Sequence, residues 1–322
     1  LESASQDEQW GRYSFLGFQP KKEITCLNHV LKIKDLESGT LDTKYVEHPS
    51  GDLRKLLEEY KSPQIEGLPP FTGGLVGYFA YDYIKYSEPK LSLKHPTEFN
   101  DMDLMLFDSV ICFDHYKQKL ILITGCQTSD IENSYEEARH TLLTIKNLLK
   151  IGKKKDFEPL VLQSRITPEL PKESFIDIVE KAKHYIHEGD IFQVVLSNPL
   201  RAKAKGSLLD TFRVLRASNP SPYMFYFSSD DIELTGASPE TLVKLDKKKL
   251  FTFPLAGTSP RGQTKKEDER NEKLLLSDEK ERAEHNMLVD LGRNDIGKIS
   301  KIGSVSVEKY MNIERFSQVM HI

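Results

Sequence analysis

Glu281, Glu284 and His285, within the stretch Ser277–Ile299 (SDEKERAEHNMLVDLGRNDIGKI), stand at i, i+3 and i+4. On a helix these positions share one face, with Cβ atoms about 5–6 Å apart. Two carboxylates that close repel each other unless a positive charge lies between them. A hard divalent cation with oxygen ligands is the usual remedy, and Mg²⁺ typically takes one or two protein carboxylates plus substrate oxygens. A solvated helix face is the competing reading, since Lys280 and Arg282 flank the acids. Met287, Leu288, Val289 and Leu291 make the following turns apolar on more than one side. That part of the helix is therefore expected to be buried, with the acids at its rim. The same stretch carries GRNDIGK at 292–298, which mimics the phosphate-binding pattern GxxxxGK[ST]. Ile299 stands where the metal-binding hydroxyl should be, and the segment leaves a helix instead of a strand, so this reading is rejected.

Around these residues lies a chain of 322 residues, long enough for one large domain or two. Its 29% charged and 38% hydrophobic content is that of an ordinary globular protein. A net charge of −4, with only short lysine clusters, argues against nucleic acid as a partner. No apolar run approaches the roughly 20 residues of a membrane helix. Cys26, Cys112 and Cys126, with no CxxC pair, fit buried thiols in a reducing cytoplasm and no zinc site. There is no internal repeat. The chain opens at Leu1 without an initiator Met or signal-like segment and stops at Ile322 without a terminating signal, so it reads as a piece of a longer protein.

Strand patterns occur at Arg12–Phe18, His29–Lys34 and Phe71–Asp82, the last interrupted by Gly73, Gly74 and Gly77 as at a bulge or close backbone approach. A helix is expected over Gly51–Lys61 with Leu53, Leu56, Leu57 and Tyr60 as its apolar stripe. Leu104–Phe113 and Lys119–Thr124 read as a hairpin, and Ser134–Leu149 as a helix. The charged segment Gly152–Phe157 is the best boundary, giving parts 1–150 and 158–322. The second part opens with a helix at Pro171–Glu188, its stripe Phe175, Ile178, Val179, Ala182, Tyr185 and Ile186, and Gly189 placed for a left-handed C-cap. His184 and His187 read as surface histidines. A strand is expected at Ile191–Ser197, a helix at Leu208–Ala217, and strands at Ile232–Thr235, Thr241–Leu245 and Leu250–Pro254. Strands in runs followed by helices give an α+β class.

Six segments in order resemble the chorismate-utilising enzymes, and within them the component I (large subunit) family of anthranilate synthases. They are IFQVVLS at 191–197, NPSPYMFYF at 219–227, GASPE at 236–240, PLAGTSPRG at 254–262, the 277–298 stretch and FSQVMHI at 316–322. LES at 1–3, RYSFLG at 12–17 and FTGGLVGYFAYD at 71–82 resemble that family's N-terminal region. The resemblance implies a two-layer antiparallel β-sandwich with helices packed outside and the site in the cleft between layers. It implies amination of chorismate by ammonia and loss of pyruvate to give anthranilate. The C4 hydroxyl of chorismate is a poor leaving group and needs a general acid. Glu240 matches the family residue in that role, which requires a raised pKa. Glu281 and Glu284 match the Mg²⁺ pair, and Ala256, Gly257 and Thr258 match positions that line the family's substrate pocket. His321 matches the histidine of the later steps.

Two positions separate the members. Water-adding relatives, which form isochorismate, resemble one another in a lysine base where this chain has Gln193, and aminodeoxychorismate-forming relatives carry a lysine nucleophile where it has Ala256. Gln193 with Ala256 is the ammonia-using combination. Glu2, Ser3, Pro222, Tyr223 and Met224 match the family's tryptophan feedback site. The resemblance also implies a glutamine-hydrolysing small subunit, hence a hetero-oligomer in the cytoplasm. The family continues past MHI with further substrate contacts and a second acidic pair. The chain is therefore expected to be C-terminally incomplete and inactive by itself. The competing expectation is a non-catalytic module that binds tryptophan and the partner.

Overall fold

The computed structural model describes residues 1–3, 11–88, 90–91, 98–316 and 318–322. In the first part, β1 (Tyr13–Gly17), β2 (Lys22–Leu27), β3 (Val30–Asp35) and β4 (Leu41–Tyr45) precede α1 (Ser50–Glu59). β5 (Gly74–Phe79), β6 (Met102–Phe107), β7 (Ser109–Asp114) and β8 (Lys119–Thr124) follow, then α2 (Ile131–Ile151). An antiparallel five-stranded sheet runs β4-β3-β2-β6-β5, and a three-stranded one β1-β7-β8. The apolar run 104–113 is thus two strands in two sheets, not one arm of a hairpin; only β7 and β8 make the expected hairpin. The break falls at Asp108, whose carboxylate pairs with Lys21 at 3.0 Å and whose carbonyl accepts from Gly125 N at 2.8 Å.

β6 is buried along its whole length. Its alternation sends Met102, Leu104 and Leu106 to one face, against Ile24, Cys26, Leu31, Leu56 and Tyr86. Met105 and Phe107 face the other way, against Val110, Phe15, Phe71, Val76 and Phe227. β5 lies so close that a Cβ on Gly77 would overlap the Asp103 carbonyl and come 2.8 Å from Leu104 Cα, which is the close approach the glycines announce. In α1, Leu56 is buried and Leu53 and Tyr60 pack beside it, but Leu57 faces solvent and leaves the expected stripe.

Two buried acids of this region contrast. Asp101 accepts from Tyr86 OH and Lys85 Nζ at 2.7 Å and from Asn28 N at 2.9 Å, so its charge is met. Asp103, 0% exposed, has no partner among the described residues for either carboxylate oxygen. Burial, with Glu23 and Asp231 acting the same way, pushes Asp103 up to about 7.

In the second part four two-residue strands, β9 (Val161–Leu162), β10 (Thr167–Pro168), β11 (Leu200–Arg201) and β12 (Ala204–Lys205), pair locally around α3 (Lys172–Glu188). Gly189 caps α3 at φ 83°, as expected. Among the described residues nothing buries the α3 stripe, and Ile178, Tyr185 and Ile186 are exposed. Ile191–Ser197 is not a strand. It has no ladder partner among the described residues, and Phe192 and Val195 are 87% and 86% exposed. An apolar run becomes a strand only where neighbouring backbone completes its hydrogen bonds.

α4 (Leu209–Ser218) leads to the hairpin of β13 (Tyr223–Ser228) and β14 (Glu233–Ser238), then to a short hairpin of β15 (Lys244–Asp246) and β16 (Lys249–Phe251). β17 (Ser259–Pro260), α5 (Lys265–Ser277), α6 (Glu279–Gly297), β18 (Glu314–Arg315) and β19 (Val319–His321) complete an α+β chain of antiparallel sheets with helices alongside. The two parts touch: Phe227 packs into the core beside Met105, its ring 6.4 Å from that of Tyr78, and Lys34 pairs with Asp230 at 3.3 Å. No helix among the described residues is long and apolar enough to cross a membrane.

Asp103 generates a prediction. Its folded pKa lies above the ordinary 3.8, so between about pH 4 and 7 the folded chain holds a proton that the unfolded chain has lost. That contribution to stability is full at low pH and falls as pH rises through this window. Asp103→Asn should then unfold at higher urea than the wild type at pH 8, by about 2–4 kcal/mol, with the gap closing toward pH 4. Parallel stability curves for the two proteins would contradict the assignment.

Candidate functional site

α5 begins with a capping box, Thr264 accepting from Glu267 N and the Glu267 carboxylate accepting from Thr264 N. It ends at Asp278, which at once caps α6 by accepting from Lys280 N at 2.9 Å and Glu281 N at 3.2 Å. One aspartate therefore sets where α6 starts and how Glu281 is presented. Glu281 and Glu284 are half-buried and His285 is buried, so the face is a rim and not a solvated surface. Met287, Leu288 and Val289 are only half-buried and Leu291 is exposed, short of the burial their apolar pattern predicts. Residues 292–297 are helical throughout, which confirms that GRNDIGK is no phosphate loop. Burial holds the His285 imidazole below its ordinary pKa, and its Nδ1 has no partner among the described residues.

Across from α6 runs the segment 254–262. Gly257 takes φ +68°, and a Cβ there would stand 3.1 Å from Glu281 Oε2 and 3.0 Å from Leu275 Cδ1. Ala256, 5% exposed, exchanges backbone hydrogen bonds with Ile322, at 3.1 and 2.9 Å. His321 Nδ1 lies 2.8 Å from Gly257 O and 3.2 Å from Thr258 Oγ1. A carbonyl only accepts, so Nδ1 carries the hydrogen and Nε2 is left as the acceptor. Ala256, Gly257, Thr258, His321 and Glu281 thus converge, with Glu284 one turn along. Leu275, Met320 and Ile322 form the apolar floor.

The acidic pair suits a bound Mg²⁺. Two carboxylates one turn apart, with Lys280 Nζ no nearer than 3.9 Å to Glu281, match a cation that takes one or two protein oxygens. Among the described residues no group of three or more His, Cys, Asp or Glu could form an all-protein cage.

Glu240 and Gln193 are exposed and make no hydrogen bond to this group among the described residues. Glu240 N donates to Ser238 Oγ at 3.2 Å, a local turn. The residues matched to the family's tryptophan site are brought together: Glu2 and Met224 exchange backbone hydrogen bonds at 2.8 and 2.9 Å, and Glu2 pairs with Arg216. Pro222, Tyr223 and Ser3 are half-buried, Met224 is buried, and Tyr223 OH bonds Thr241. Sequence reasoning missed Arg261, Asp268, Asp278 and Phe316. Asp278 had a legible signal, a capping residue directly before a helical run; the others act through contacts distant in sequence.

Antiparallel sheets with helices alongside, and an acidic helix rim facing a glycine turn, define a protein of the α+β class. The chain belongs to the chorismate binding enzyme family, matching it over residues 3–322. Anthranilate synthase component 1 of Aquifex aeolicus (strain VF5) is 43% identical over 339 residues, covering 100% of this chain and 66% of that protein. The component 1 of Acetivibrio thermocellus is 39% identical, with 100% and 67% covered. The crystal structure of anthranilate synthase component I from Streptococcus pneumoniae TIGR4 superposes with a TM-score of 0.80 at 34% identity, covering 97% of this chain and 68% of that one. The chain therefore spans about two-thirds of the length of these relatives.

Gly257 supplies the local test. Gly257→Ala places a Cβ at positive φ against Glu281 and should cost about 1–2 kcal/mol in urea unfolding. An unchanged midpoint would mean that this turn is not held as described.

Proposed function

We propose that this chain is the chorismate-binding part of an anthranilate synthase large subunit. The observation that carries the reading is the convergence of Gly257, Thr258, His321 and Glu281 in a chain 43% identical to an anthranilate synthase component 1. In this reading ammonia, released by a glutamine-hydrolysing partner, adds at C2 of chorismate as the C4 hydroxyl leaves with a proton from Glu240. Pyruvate is then lost and anthranilate remains. Mg²⁺, when bound at Glu281 and Glu284, would neutralise the ring carboxylate and charge developing in the ring. Gly257 and Thr258 offer the backbone and hydroxyl groups that receive the substrate, and His321 keeps Nε2 available as a proton acceptor. The small buried Ala256 leaves room for free ammonia, and Gln193 offers no base to activate water. Residues 1–150 would supply the tryptophan side, with Glu2 and Ser3 meeting Pro222, Tyr223 and Met224 of 158–322. Three free thiols fit a reducing compartment, which supports a cytoplasmic setting.

One observation favours a second reading for this chain by itself. The effector segments meet while Glu240 and Gln193 stand exposed, apart from the Gly257–His321 group. A tryptophan- and partner-binding module without turnover would look this way.

Chorismate, Mg²⁺ and ammonium incubated with this chain and with a chain of the relatives' full length decide between them, read by chromatography with fluorescence detection. Anthranilate from the longer chain alone is expected, with Glu281→Gln/Glu284→Gln lowering its rate by at least roughly a hundredfold. Tryptophan should raise the melting temperature of this chain. Isochorismate or aminodeoxychorismate as the product would overturn the use made of Gln193 and Ala256.

A further inference from the structure

The segments 254–262 and 318–322 run antiparallel and are clasped at both ends. At one end Ala256 and Ile322 exchange backbone hydrogen bonds over the apolar floor. At the other, Ser259 and Pro260 pair with Met320 and Val319, and Arg261 N donates to Gln318 O at 3.1 Å. The His321 grip on Gly257 and Thr258 lies between the two ends.

The Arg261 end depends on a side chain. Its guanidinium forks onto Asp268, Nε at 3.0–3.1 Å and a terminal nitrogen at 2.6 Å, while the other terminal nitrogen donates to Phe316 O at 2.7 Å. Asp268 also accepts from Gly262 N at 2.6 Å, and α5 lies so near that a Cβ on Gly262 would stand 2.6 Å from Glu267 Cβ. Arg261 draws the Asp268 carboxyl below its ordinary pKa, so both partners stay charged. One side chain thus joins the glycine turn, the first turns of α5 and the backbone of Phe316. The Phe316 ring in turn meets the His321 ring edge-on, centroids 5.5 Å apart.

We propose that Arg261, fixed by Asp268, is a positioning residue: through Phe316 it sets the orientation and the proton placement of His321. The inference rests on the proposed role of His321 but has its own readout. Three nitrogens of one rigid plane serve Asp268 and Phe316 O together. A lysine keeps the charge but has a single nitrogen, so the two-nitrogen fork on Asp268 and the fixed direction to Phe316 O are lost.

The test uses ¹⁵N-histidine spectra of the present chain, with Arg261→Lys and Asp268→Asn as variants. In the wild type His321 should show one tautomer, Nδ1 protonated. In both variants its Nδ1–Nε2 shift difference should lose most of its size as tautomers mix, while His29 and His48, which bond Val46 O and Tyr86 O in the N-terminal part, stay in place. In a chain of full length, Arg261→Lys should lower kcat roughly ten- to a hundredfold with KM for chorismate nearly unchanged. An unmoved His321 in either folded variant overturns the proposal, as does loss of all histidine signals in both, which would make the pair a fold determinant only. If the full-length wild type makes no anthranilate, the function reading fails and the histidine spectra still decide this one.

Discussion

The two cores of the first part are arranged around the burial of β6 on both faces. A strand with six consecutive buried residues must have a ladder partner on each edge and an apolar cover on each face. β2 and β5 supply the edges, Gly77 permitting the close approach. α1 and Tyr86 cover one face, and β1, β7 and Phe227 of the second part cover the other. The cover of that second face is what commits the two parts to contact. The charge this geometry encloses is treated in two ways. Asp101 is satisfied by a lysine, a tyrosine and a backbone N–H, whereas Asp103, raised to about 7, sheds its charge only below that pH.

The second part is ordered by polar clasps more than by burial. Leu275, Met320 and Ile322 make a small core, and α3 and α4 contribute no buried residue. The acidic rim is nonetheless well placed, because Asp278 fixes the start of α6 and the Arg261–Asp268 fork fixes the turn opposite it. Charge-assisted forks and caps impose geometry without large buried area. That is why the Gly257–Glu281–His321 group converges although its surroundings are partly open.

Legibility in the sequence followed the range of the forces involved. α1, α2, α3 and α6 were readable because helix periodicity is local, and the glycines of 71–82 because a close approach excludes a Cβ. The rejected GRNDIGK loop was readable from its helical context. The break at Asp108 was not, since a continuous apolar run conceals a change of sheet until the Lys21 contact is known. Ile191–Ser197 has a strand's composition, but strand formation depends on what lies beside it. Leu57 lies on the predicted stripe of α1 yet faces outward, because α1 is covered over a narrower arc than its pattern allows. Among the candidate site residues, Glu281 and Glu284 stood out by their helical spacing, whereas Gly257, Thr258 and His321 were named by family resemblance. Arg261, Phe316 and Asp103 act through contacts that no spacing encodes.

The register of β13 and β14 links the Glu2–Met224 bridge by a short route to Glu240. Met224 faces Glu2 on one side and Ala237 on the other, and Tyr223 lies opposite Ser238, two residues before Glu240. Tyr223 also bonds Thr241, the residue after Glu240. Glu240 is therefore flanked, before and after, by residues tied to Tyr223. Sliding one strand of an antiparallel pair by a single residue would invert every side chain, so such a pair transmits tilt or separation and not slippage. A ligand can shift that geometry only by as much as its affinity differs between the two arrangements.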